Sequence, residues 1–411
     1  MALIAIFLTL LFFYILVSQR LERTMITAPI VFMLAGMITW AAIPELCGWE
    51  FSRENILTIA EVGLVLLLFT DASRTDWGVF KFIHHLCIRL LGTGMLLTIL
   101  LGMVIALVIF PDISFWQAGI LAAILAPTDP CLGQSIVNSP LVPIRIRQAL
   151  NVEAGLNDGL AVPFLLFFIA MGSAAAESNH AHLTRFIVEQ LGLGSLAGCG
   201  IGLLGGWLLG VAHRKQWMAP WLQQQGVVII PLLCAMASGL FGASMFIAAF
   251  VAGLMVQVGF RDVCRQSIEF GENWGQLLNL FMFFVFGVLV AQSLPLFNLP
   301  CLLYAVLSLT VVRMLPVALA LIGTRLHKAT ILFMGWFGPR GLGSIVLGLV
   351  CLERQSHQPE TPTIRLAVIM TVMLSIIAHG LSASPGIRLY TRRIAALPPN
   401  APEFTGNSLS S

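Results

Sequence analysis

Apolar residues fill this chain in long uninterrupted stretches, and polar residues are largely confined to short connectors between them. Neither the strict alternation of a half-buried strand nor the narrow stripe of a soluble amphipathic helix describes the pattern. Coiled as an α-helix, about 20 apolar residues span the hydrocarbon core of a bilayer. Such stretches can be drawn at 2–18, 25–44, 55–73, 89–110, 114–138, 148–172, 186–212, 225–241, 243–260, 273–294, 299–323, 329–352 and 364–384. The pattern predicts an all-α polytopic membrane protein of about 13 transmembrane helices, with no room left for a soluble domain. Residues 1–393 then form one membrane domain. The short Pro- and Ser-containing tail over 394–411 is expected to be disordered.

Composition agrees. Of 411 residues 58% are hydrophobic and only 10% charged, with a mean hydropathy of +0.93, whereas a soluble domain carries roughly a quarter charged residues. The formal net charge of +3 is scattered over loops, which excludes a nucleic-acid patch. Eight cysteines occur singly, without a C-x-x-C pair, so neither a disulfide framework nor a zinc site is implied. No basic residue precedes the first apolar run; Arg20 and Arg23 follow it, the reverse of a signal peptide. That run reads as a permanent helix with its N-terminus outside. The basic residues then fall in loops of one side. With that orientation 16 of the 22 Lys and Arg lie in inner loops and four (Arg53, Arg185, Arg354, Arg365) in outer ones, as the positive-inside rule requires of a multi-pass cell-membrane protein with a cytoplasmic C-terminus.

Polar chemistry inside the spans is sparse and concentrated. The sixth span carries Glu153, Asn157 and Asp158. A carboxylate at the bilayer centre costs at least ~2.5–3.5 kcal/mol on insertion scales, so it signals a use. Glu153 and Asn157 share a helix face, and Asp158 lies roughly 140° from Glu153. The two acids are therefore free to do different jobs. The natural partner of Glu153 is Arg313, alone in the eleventh span, as a structural ion pair; Asp158 is then the exchangeable carboxylate facing a cavity. The fifth span is interrupted at Pro127-Thr128-Asp129-Pro130, where each proline removes a donor and Pro130 pushes Asp129 out of helical geometry. Freed carbonyls at this depth are tolerated only in protein or along a cavity, and the Asn157 amide can bond them. The plain alternative is a proline-kinked packing helix. Seven spans later Gly338-Pro339-Arg340-Gly341 interrupts the twelfth span around a cation. Matched interruptions in two halves point to inverted repeats whose discontinuous helices cross, each charge offsetting partial charges at helix ends; a helix-end snorkelling Arg340 is the alternative. Asp71, near the end of the third span, is either an interfacial acid beside Arg74 or an accessory site residue. Glu61 lies deeper, His379 reads as a satisfied core histidine, and His84 and His85 fall in an inner loop.

Taken together, LAPTDP (Leu125–Pro130), VEAGLNDG (Val152–Gly159), GPRG (Gly338–Gly341), Arg313 and LLLFTDAS in the third span resemble the monovalent cation/proton antiporters of the NhaP and NHE type over nearly the whole membrane domain. The resemblance implies a homodimer. Each protomer would have a dimerisation part from spans 1–3 and 7–10 and a moving ion-binding core from spans 4–6 and 11–13. It also implies that Asp158, Asp129 and the Thr128 carbonyl line the cation site, with Asn157 beside them and Glu153 paired to Arg313. An Asn-Asp pair resembles the electroneutral branch. Many relatives carry Ser directly after the glutamate; here that position is Ala154, which bears on the choice between Na⁺, Li⁺ and K⁺.

The expected function is secondary antiport of a monovalent cation (Na⁺ foremost) against H⁺, without enzymatic chemistry or cofactor. The rival is a cation channel, or a K⁺/H⁺ rather than Na⁺/H⁺ antiporter. Channels repeat one pore element, whereas this chain has two unlike interruptions of opposite charge. An organic-solute carrier lacks its wide polar cavity here, and an intramembrane protease lacks H-E-x-x-H.

Overall fold

The structure is a computed structural model of the 411-residue chain. It describes residues 2–21, 26–43, 53–74, 77–177, 188–260, 264–341, 343–348, 362–398 and 400–404. Among these there are helices and turns but no strands. The helices are α1 (Ala2–Leu21), α2 (Ala28–Ala42), α3 (Arg53–Ser73), α4 (Trp77–Ile88), α5 (Met95–Ile109), α6 (Phe115–Ile124), α7 (Pro130–Val137) and α8 (Ile144–Glu177). They continue as α9 (Gly194–Arg214), α10 (Pro220–Leu240), α11 (Met245–Gly259), α12 (Cys264–Ser293), α13 (Leu299–Leu309), α14 (Val311–Ala320), α15 (Lys328–Trp336) and α16 (Pro362–Ile394). Each apolar stretch drawn from the sequence overlaps at least one of these helices; 329–352 covers α15 and then the helical residues 343–348, while 342 and 349–352 lie outside the described residues. Seven helical runs of the described residues are long and apolar enough to cross a membrane, with four shorter apolar helices beside them. Arg23, Arg185 and Arg354, used above to orient the chain, lie outside the described residues, as do Arg261 (one of the 16 inner-loop cations) and 405–411.

Two packing groups surround the functional region. Helix α9 lies against α11 along Gly194, Gly198, Gly202 and Gly206. A Cβ at Gly198 would meet the Ala248 Cα and carbonyl carbon at 3.0 Å, so the backbones touch through a small-xxx-small stripe, the device that brings membrane helices together where no hydrophobic drive separates them from lipid. Helix α11 also packs on α3, and α12 on α2. In the second group α5 packs on α6, α6 on α8, α13 on α16 and α14 on α15. The interrupted helices α6–α7 and α15 belong to this second group.

Three departures from the sequence reading have local causes. His84 and His85 lie on helix α4, not in a loop: Ile83, Leu86, Cys87 and Leu90 are buried while His85 is exposed, a one-sided pattern too short to read as a span. A π-turn over Arg89–Gly94 joins α4 to α5, and the Arg89 guanidinium caps the end of α14 by donating to the Ala320 carbonyl at 3.1 Å and to the Ile322 carbonyl. The eleventh span is split at Thr310 (φ −105°, ψ −86°), just before Arg313.

The third departure is the tail. Expected to be disordered from 394 onward, it is packed over the described residues 394–398 and 400–404, with a 3₁₀ turn at Pro402–Phe404. Glu403 is buried, accepts from the His327 amide at 2.6 Å and from Thr330 Oγ1 at 3.0 Å, and so caps the start of α15. Arg145, in the first turn of α8, donates to the Pro402 carbonyl at 2.6 Å. A short, Pro-rich composition suggested disorder because it buries little apolar surface; one buried, doubly bonded carboxylate and the packed Leu397 and Phe404 outweigh that here.

Candidate functional site

The fifth-span interruption forms where it was expected. Helix α6 ends at Ile124, α7 begins at Pro130, and 125–129 are non-helical and buried. The twelfth span is likewise open from Phe337 through Gly341, with residues 343–348 helical again. The two breaks cross. The Asp129 amide donates to the Pro339 carbonyl at 2.8 Å, so a donor exposed by one interruption satisfies an acceptor exposed by the other. Arg340, fully buried, donates from Nη1 to the Pro127 carbonyl at 3.1 Å and to the Ala126 carbonyl. It thus places a cation on the C-terminal end of α6, where the helix dipole is negative. A snorkelling role for Arg340 is excluded by this burial.

Asp129 stands just before the N-terminus of α7, the electropositive end of that half-helix. The crossing is close enough that glycine is needed in the twelfth span. A Cβ on Gly341 would overlap the Asp129 carboxyl group, and one on Gly343 would come within 2.6 Å of Asp158 Oδ2.

Helix α8 supplies the other polar groups. Arg313 Nη1 donates to Glu153 Oε1 at 2.6 Å with both side chains buried. Asn157 Nδ2 donates to Thr128 Oγ1 at 2.6 Å; its bond is to the side chain of the break, not to freed backbone as expected. Asp158 is 2% exposed, and neither carboxylate oxygen receives a hydrogen bond from the described residues. Asp71, also buried, has Oδ1 4.0 Å from Arg74 Nη1 and its Cβ against Gly155 of α8, so the interfacial partner and the proximity to the site coexist. Glu61 lies on α3, ten residues before Asp71.

A cavity reaches this cluster from the end at which α7 stops and α8 starts. Thr128, Asp129, Gly133, Ile136, Val137, Leu150, Glu153, Ala154, Phe337 and Pro339 line it. Asp129 therefore faces the cavity, and Ala154 contributes a methyl group to its wall. Asp158, expected to face a cavity, is not among the lining residues: it lies one turn deeper on α8, against the Gly343 segment. Ser375 and His379, which bond the twelfth-span break, were not singled out as site residues; the only trace they leave in sequence is their four-residue spacing within an apolar helix.

This constellation has counterparts. A family model described as "Sodium/hydrogen exchanger, transmembrane" matches residues 7–388. The chain belongs to the sodium/hydrogen exchanger family. Among similar proteins, one from Alkalimonas amylolytica named "K(+)/H(+) antiporter NhaP" is 27% identical over 92% of this chain and 65% of its own length. One from Schizosaccharomyces pombe named "Na(+)/H(+) antiporter" is 26% identical over 67% of this chain and 65% of its own length. The chain thus spans just under two thirds of these relatives. The fold matches that of the sodium proton antiporter MjNhaP1 from Methanocaldococcus jannaschii with a TM-score of 0.75, at 21% identity, covering 95% of this chain and 99% of that one. It is a multi-pass membrane protein with the architecture of this exchanger family.

Proposed function

We propose that this protein is a monovalent cation/proton antiporter in which Asp158 binds either a proton or a cation. The observation that carries the reading is Asp158 itself: a carboxylate 2% exposed, with no hydrogen bond to either oxygen among the described residues. A bare charge in that setting costs several kcal/mol, and a proton or a monovalent cation each removes it. The two are mutually exclusive, because a bound cation disfavours protonation and a proton removes the ligand charge. If the core reorients only with Asp158 neutralised, one cation exchanges for one proton and transport is electroneutral. Hard monovalent cations take oxygen ligands; Asp158, Asp129 and the Thr128 carbonyl supply them, while Asn157 holds the Thr128 side chain. Glu153 and Arg313 neutralise each other and tie α8 to α14.

The remaining parts of the reading follow from family and charge placement. The core comprises spans 4–6 and 11–13, moving against a dimerisation part of spans 1–3 and 7–10 in a homodimer. The N-terminus lies outside and the C-terminus inside a plasma or inner membrane, so the cavity at Asp129 opens toward the cytoplasm. Some of its relatives are named for Na⁺ and others for K⁺, and the Ala154 side chain supplies no oxygen where the cavity passes. Na⁺ is the first candidate; Li⁺ and K⁺ belong in the same assay.

The test is proton flux in proteoliposomes with a preset pH gradient, adding Na⁺, Li⁺ and K⁺ in turn beside Asp158→Asn. Dissipation by one cation, lost in Asp158→Asn and indifferent to clamping the membrane potential, is the expected result. Substantial cation-dependent proton movement in the Asp158→Asn protein defeats the assignment of that residue. Cation uptake without proton countermovement makes the protein a channel.

A further inference from the structure

The interrupted twelfth span is held from outside itself. Its break leaves Trp336 as the last residue of α15 and Pro339 without an N–H to give. Helix α16 reaches both sides of this gap with two residues four apart, hence on one face. His379, 1% exposed, has Nε2 at 2.9 Å from the Trp336 carbonyl. Its Nδ1 lies 3.2 Å from Ser375 Oγ, and Ser375 Oγ accepts from the Arg340 amide at 2.7 Å.

Both ring nitrogens face a carbonyl oxygen, Nε2 that of Trp336 and Nδ1 that of Ser375, each at 2.9 Å. A carbonyl can only accept, so the ring donates to Trp336 in one tautomer and to Ser375 in the other, while in both the Ser375 hydroxyl oxygen takes the Arg340 N–H. Ser375 and His379 thus contact the twelfth-span break on both sides of Pro339, at the Arg340 amide and at the Trp336 carbonyl. The Trp336 ring is held too: it packs against the imidazole at 5.0 Å between centroids, tilted by 32°, and donates from Nε1 to Ser382 Oγ at 2.9 Å.

We propose that His379, acting with Ser375, splices the broken twelfth-span helix and so positions Asp129 for the cation. The route is short. Between the two pinned points lies the Pro339 carbonyl that takes the Asp129 amide, and at the second point begins the Arg340 side chain that caps α6. Loosening the splice lets the twelfth-span break shift, and Asp129 shifts with it. His379 is a positioning residue: it touches no ligand, and it acts through Ser375, Trp336 and the crossing. This rests on the antiport reading only for its transport readout.

The experiment compares His379→Leu, which has no hydrogen-bonding group, with His379→Gln, which keeps a donor and an acceptor, with Ser375→Ala, and with the Leu/Ala double variant. Two readouts are taken: the KM and maximal rate of cation-driven proton flux in proteoliposomes, and amide deuterium uptake of the peptide covering Phe337–Gly341 in detergent. The expected result for His379→Leu and Ser375→Ala is a KM raised about tenfold, a maximal rate within about twofold of wild type per folded protein, and faster deuterium uptake at the break. His379→Gln restores both, and the double variant is no worse than either single one because the two residues act as a unit. A purely structural histidine would lower folded yield and leave KM where it was. KM within twofold of wild type in His379→Leu, multiplying effects in the double variant, or unchanged deuterium uptake each overturns the proposal. If His379→Leu does not fold, Ser375→Ala decides alone. If the wild type drives no flux with any cation, the antiport reading fails, and deuterium uptake still judges the splice.

Discussion

The crossing of the two broken spans makes Gly341→Ala the most pointed perturbation available. Gly341 does not have a positive φ, so its backbone accepts alanine and the objection to a side chain is contact alone. A Cβ there overlaps the Asp129 carboxyl and lies 2.6 Å from Asp129 Cβ and Cγ, about 0.9 Å inside an ordinary carbon–carbon separation of ~3.5 Å. The carboxyl cannot retreat along its backbone, because the Asp129 amide is bonded to the Pro339 carbonyl two residues before Gly341. Either the Asp129 side chain leaves its rotamer or the crossed segments part. Overpacking of this kind costs about 1–3 kcal/mol. Expressed at the site, that is a cation KM raised about 5- to 150-fold. Gly133→Ala is the control: Gly133 lines the same cavity, and a Cβ there meets nothing within 4 Å. Cation titrations of proton flux in proteoliposomes, normalised to folded protein, read the difference. A KM for Gly341→Ala within twofold of wild type, with Gly133→Ala equally silent, refutes the placement of Asp129 against the twelfth-span break.

Three other perturbations address the scaffold. Arg313→Ala leaves Glu153 buried without its 2.6 Å partner and should destabilise by about 3–5 kcal/mol; thermal unfolding in detergent should show a large loss, and part of it should return in Arg313→Met/Glu153→Leu, which removes both charges. Glu403→Ala removes bonds to the His327 amide and Thr330, each of a kind contributing about 1.5–3 kcal/mol, and should lower the melting temperature more than Thr330→Val does; equal melting curves for Glu403→Ala and wild type would show that the tail is not docked. Gly198→Leu should prevent folding because the Ala248 backbone occupies its space, whereas Gly200→Leu, one face away with nothing within 4 Å, should fold; size-exclusion profiles of the two proteins that look alike would contradict the α9–α11 contact.

Much of this protein is readable without a structure because its determinants are local. Hydrophobic length marks a span wherever the chain later puts it, and proline removes a donor whatever surrounds it, so the interruptions at Pro127–Pro130 and Gly338–Gly341 could be located from sequence. Asp158 stood out for the same reason: a charge in an apolar run is anomalous before any partner is known. Arg313 could be proposed for Glu153 because few buried cations were available. What remained hidden lies between residues far apart in sequence. That α4 is a helix depends on a core that buries Ile83 and Leu86. That the tail is ordered depends on Arg145, 257 residues away from Pro402. A histidine and a serine in the last span gave no sign of bonding the break, since four-residue spacing is common to every helix.

The sequence by itself determined that the chain crosses a membrane repeatedly, that two of its helices are interrupted, and which few charges lie inside, because the cost of exposing backbone or charge to hydrocarbon is incurred at each position separately. Only the tertiary structure decided which interruption meets which, that Asp129 rather than Asp158 borders the cavity, and that Asn157 bonds a hydroxyl and not a carbonyl. Those outcomes depend on distances of a few ångströms between elements that hydropathy treats as equivalent, and hydrogen bonds discriminate at that scale while hydrophobic burial does not.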